Sequence, residues 1–120
     1  MANSFDVNIV STEIGALSNA NRVIAYLPAG GGGITVLAAH ASMAAAATSS
    51  LYLVDMGTAG TAISGTIGSF GGTFAANTPR AATISTAFVD GGHYIGVRED
   101  NVGAANAVTN VSFAYVMGRG

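Results

Sequence analysis

The sequence predicts an all-β fold, an antiparallel β-sandwich of jelly-roll type with about eight strands. Three observations carry that expectation. The apolar runs are short and rich in Val, Ile, Tyr and Phe. Gly, Asn, Asp or Pro interrupts them every 8–15 residues, which is the spacing of a sandwich or barrel. The final run alternates strictly: Val111, Phe113, Tyr115 and Met117 fall on one face, and Ser112, Ala114 and Val116 on the other. That is the period-2 pattern of a strand with unequal faces.

Taken in order, strands are expected near Phe5–Val10, Arg22–Leu27, Ile34–Ala41, Ser50–Met56, Thr61–Ile67, Ala81–Ser85, His93–Glu99 and Val108–Met117. After the second, Pro28-Ala29 and the run Gly30–Gly33 stop extension, because Pro offers no amide hydrogen and glycines are costly to order. The third strand passes into the small-residue stretch that ends at Ala47. Gly57-Thr58-Ala59-Gly60 and Asp90-Gly91-Gly92 read as hairpin turns, since glycine reaches positive φ without steric cost. Gly68-Ser69-Phe70-Gly71-Gly72 reads as a loop, and Glu99-Asp100-Asn101-Val102-Gly103 as a polar loop before the last strand. Residues 22–120 form the sandwich domain. Residues 1–21 are either an N-terminal arm or, through Phe5–Val10, the first strand.

The surface of such a domain is unusual. Only 8% of the 120 residues are charged, with no lysine, while 50% are hydrophobic; soluble domains carry about a quarter of their residues as charged groups. The exterior must therefore be built from Thr, Ser, Asn, Gly and Ala, a surface that is easily desolvated. Assembly into something larger follows as the first expectation. Net charge of −2 with four scattered arginines excludes the basic footprint needed on nucleic acid. The longest apolar stretch, Ile34–Ala47, is 14 residues, shorter than the roughly 20 of a membrane-spanning helix. Met1–Val10 lacks the basic and apolar regions of a secretory signal, so export by that route is not expected. Without cysteine there is neither a disulfide framework nor thiolate chemistry.

Catalysis needs polar groups brought together, and the supply is two histidines, six carboxylates and four arginines. His40 and His93 lack the spacing of a two-histidine metal motif. Asp90 stands a strand length from Glu99, Asp100 and Asn101, about 20 Å, too far to share one cation. Glu99, Asp100 and Asn101 alone could offer oxygens to calcium, against the plainer reading of a solvated turn. No serine sits in a Gly-x-Ser-x-Gly elbow, and neither glycine run matches a phosphate-binding fingerprint. Asn110-Val111-Ser112 fits the glycosylation triplet but lies inside the last strand. The chain is therefore read as a non-enzyme without cofactor or metal.

Three segments, Leu51–Ala62, Ala87–Glu99 and Phe113–Gly118, resemble in strand-and-turn texture the small β-sandwich virion proteins of tailed bacteriophages, most closely the capsid decoration or cement proteins. That resemblance implies a jelly-roll-like body on the outer surface of an icosahedral shell, often a homotrimer, stabilising the major capsid protein. It implies a virion protein made in the host cytoplasm, with no nucleic acid or membrane as partner. Such families have no catalytic motif to carry over. If residues 2–21 are a capsid-contacting arm, its apolar side chains, Phe5, Val7, Ile9, Val10, Ile14 and Leu17, are the contact candidates. The competing reading is a phage fibre or accessory module that binds a host glycan, which an exposed cluster of Tyr52, Tyr94 or Tyr115 with neighbouring Asp or Asn would favour.

Overall fold

A computed structural model describes residues 7–15, 21–30, 32–44, 46–100 and 109–118. They form ten strands: β1 (Asn8–Gly15), β2 (Asn21–Tyr26), β3 (Ile34–Met43), β4 (Ala47–Asp55), β5 (Gly65–Phe74), β6 (Arg80–Ala81), β7 (Thr83–Ile84), β8 (Phe88–Val89), β9 (Tyr94–Asp100) and β10 (Thr109–Met117). All pair antiparallel in two sheets. The first, sheet A, runs β1-β10-β3 with β6 and β8 both on the far side of β3; the second, sheet B, runs β2-β9-β4-β5-β7. Without the two-residue β6 and β7, eight strands remain, in orders β1-β10-β3-β8 and β2-β9-β4-β5. The first strand lies beside the last, and successive strands mostly alternate between sheets. The expected jelly-roll sandwich is the architecture found.

Between the sheets Ile34, Val36, Leu51, Leu53, Ile67, Phe70, Phe74, Ile95, Val97, Val111 and Phe113 form the core, each at most 2% exposed. Four expectations are corrected. The first strand runs Asn8–Gly15, beyond the Val10 at which it was expected to end. The fifth is shifted: Thr61–Ser64 lie in the loop, and the strand runs Gly65–Phe74 through the glycines read as a loop. There a Cβ on Gly68 would sit 2.9 Å from the Thr83 carbonyl, so glycine is what lets β7 approach. Ala81–Ser85 is not one strand, because the chain changes sheets at Ala82 between β6 and β7. Asp90-Gly91-Gly92 likewise joins β8 of sheet A to β9 of sheet B and closes no hairpin. The Gly57–Gly60 turn does lie between the paired strands β4 and β5.

Candidate interaction surface

Asp55 ends β4 and His93 precedes β9, which puts both at one end of sheet B. Asp55 Oδ1 accepts the Gly57 amide at 2.8 Å and lies 2.9 Å from His93 Nδ1, with each side chain about a fifth exposed. The His93 carbonyl accepts the Leu27 amide, and the Tyr94 ring packs against Gly60 on the turn and, tilted, against Tyr26 at 4.7 Å between centroids. The pair therefore fastens the turns at this end to one another. Both hydrogen bonds of His93 Nδ1 go to the Asp55 carboxylate. His40 belongs to the other sheet. It stands exposed on the outer face, opposite Ser112 on β10, in a shallow hollow shared with Ser11, Ser42 and Asn110.

The proposed polar loop at Glu99 is also corrected. Glu99 and Asp100 are the last residues of β9, and Asn101 lies outside the described residues. Neighbours on a strand point to opposite faces. Glu99 is buried at 3%, whereas Asp100 pairs with Arg98 at 2.9 Å on the other side, so the two do not converge on a cation. No group of three His, Asp or Glu able to hold a metal occurs among the described residues. The tyrosines do not form a cluster either. Tyr52 lies between Ser69 and Arg98, Tyr94 rests on Tyr26, and Tyr115 belongs to sheet A beside Phe113; all three are half-buried.

Most of the charge is used internally. Arg22 donates to the Ile14 carbonyl at 2.7 Å, and Arg80 donates to the Phe70 carbonyl at 2.8 Å while standing over the Phe74 ring. Arg98 is held by Asp100 and Asn21, and Asp55 by His93. Among the described charged residues Glu13, Arg22, Arg80 and Asp90 are exposed on the surface, the two arginines with one side-chain nitrogen on a backbone carbonyl.

The contact candidates separate along β1. Val7 is 54% and Ile9 71% exposed, whereas Val10 packs on the core and Ile14 lies within it at 5%. Phe5 and Leu17 lie outside the described residues. Sequence reasoning missed four further exposed apolar side chains: Val23 at 38%, Tyr26 at 51%, Leu37 at 50% and Met117 at 59%. Leu37 is the extra residue of a bulge, since Ala38 pairs with Ala114 and Val36 with the next residue, Tyr115. Met117 reverses the expected exposure at the end of β10, where it is Val116 that is buried, at 8%. Tyr26 and Met117 border an apolar cleft of about 220 Å³ floored by Leu27, Ile34 and Tyr115. The described surface is thus sparsely charged, with exposed apolar groups on β1, on β2 and at one end. Among the described residues no helix is long and apolar enough to cross a membrane.

No family model matches the sequence, and no curated protein matches it. Among solved structures, a chain of the cyanophage Pam1 capsid asymmetric unit has the same fold. The TM-score is 0.60 at 17% identity, over 97% of this chain and 88% of that one.

Proposed function

We propose that this chain is a structural protein of a phage virion that binds the outer surface of an icosahedral capsid and stabilises it, as a decoration or cement protein does. The observation that carries this is the shared fold with a phage capsid chain over nearly the full length of both. The composition supports it: with 8% of its residues charged, the chain offers mainly Thr, Ser, Asn, Ala and aliphatic groups to a partner. The partner is the major capsid protein, and the binding unit is a homotrimer. Stabilisation comes from added interface, typically about 1,200–2,000 Å² per specific contact, repeated over the shell so that modest affinity becomes large resistance to rupture.

The test is co-sedimentation with shells of the major capsid protein encoded in the same genome, assembled without this chain, across a salt series. Screening acts on charged pairs only. Binding that changes by less than about threefold between 0.05 and 1 M salt is expected, because a neutral interface offers almost no ion pairs to screen. No binding at any salt overturns the proposal, and a loss of more than about a hundredfold overturns the neutral interface.

A further inference from the structure

The two flanks of the sandwich are built differently. On one, sheets A and B end in β6, β8 and β7, each two residues long; on the other they end in β1, of eight residues, and β2, of six. Short edge strands, charge, proline and bulges are the devices that keep sheet edges from pairing with another chain. The first flank uses the shortest strands, and β2 carries Arg22 and a bulge between Val23 and Ala25. β1 contains no proline and no lysine; Glu13 is its one charge, and its own bulge, between Glu13 and Gly15, lies at its far end and leaves Ile9–Glu13 in regular register. Among the described residues it pairs on one side only, with β10. Arg22 closes its far end by taking the Ile14 carbonyl. What remains is Ile9–Glu13, an edge whose outward backbone groups have no strand partner among the described residues and are open to one from another chain.

We propose that this run pairs with the same run of a second copy, antiparallel about a two-fold axis at Ser11. The sequence suits that register. Ser11 meets Ser11 of the partner copy, Val10 meets Thr12, and Ile9 meets Glu13, so residues on the core side meet residues on the core side. The two Glu13 carboxylates stand about 13 Å apart by strand rise, beyond a Debye length of roughly 8 Å at physiological salt. Ile9, the most exposed large hydrophobic described at 71%, is set against the aliphatic stem of Glu13. The contact joins two sheets of type A into one continuous sheet. It is a different contact from the three-fold one of the trimer, and its failure would leave that reading untouched.

The absence of cysteine gives a clean assay. Directly opposed residues of antiparallel strands have Cα atoms about 4.5–5.5 Å apart, inside the range a disulfide spans. In a glutathione redox buffer at high protein concentration, Ser11→Cys is expected to form a disulfide dimer at least about tenfold faster than Ala81→Cys, an exposed position on the opposite flank. A mixture of Ile9→Cys and Glu13→Cys proteins is expected to give the mixed dimer over either homodimer. Equal rates for Ser11→Cys and Ala81→Cys overturn the proposal. So does Ser11→Cys dimerisation without mixed-dimer preference, because that would be collision and not register.

Discussion

Ile9 and Ile14 lie in one strand, yet one is 71% and the other 5% exposed, so the same substitution at the two positions measures what β1 contributes. Ile14→Ala removes buried carbons from the end of the core and leaves a cavity, at a cost of about 2–5 kcal/mol. Melting entropy of roughly 2.1 cal/mol/K per residue gives about 0.25 kcal/mol per kelvin for this chain length, which converts the loss to a fall in Tm of about 8–20 °C. Ile9→Ala exposes nothing and empties nothing; its Tm is expected to stay within about 2 °C, as for surface substitutions generally. Thermal unfolding followed by circular dichroism at fixed protein concentration reads both. If Ile14→Ala melts with the wild type, β1 is a peelable arm after all. If the two variants fall equally, the assignment of faces along β1 is wrong.

Gly96→Ala is expected to lower the urea midpoint by the equivalent of about 1–3 kcal/mol, because a Cβ there would lie 2.7 Å from the Arg22 carbonyl and β2 would have to move. Gly65→Ala, where nothing lies within 4 Å, is the control and is expected to be neutral or slightly stabilising. Arg80→Met keeps the aliphatic stem but loses the bond to the Phe70 carbonyl and the stacking on Phe74; a loss of about 1–2 kcal/mol by urea unfolding is expected. No change would mean that those contacts do not persist in solution.

The sandwich was legible because six of its strands, β1 to β4, β9 and β10, are marked by β-branched and aromatic runs with turn residues between them. The strand most badly placed, β5, shows why legibility ends. Ile67, Phe70 and Phe74 all reach the core though spaced by three and then four residues, a spacing that suggests no strand. The explanation is long-range: the pairing of β4 with β5 is repeatedly out of step, and Phe70 is an extra residue between Ser69 and Gly71. Which sheet each run joins was equally hidden, so Asp90–Gly92 passed for a hairpin. The surface was legible as composition but not as geometry. No local signal says that Arg22 reaches Ile14 or Arg80 reaches Phe70. The exposure of Leu37 depends on a bulge against β10, contributed by residues more than seventy positions away.

The position of β10 bears on how the chain acquires its structure. β10 lies in sheet A between β1 and β3, with Val111 and Phe113 in the core, so the N-terminal strand has no hydrogen-bonding neighbour in that sheet until residues near the other end arrive. Closing such a loop is an entropic cost borne before its contacts form, and folds dominated by pairings of this kind are slow. While the chain is being synthesised, β1 and β3 wait with unpaired edges and a half-open core. A chain interrupted before residue 109 would expose apolar strands suited to sticking to one another. The conversion from aggregation-prone nascent chain to finished subunit is thus concentrated in the placement of one nine-residue segment, Thr109–Met117.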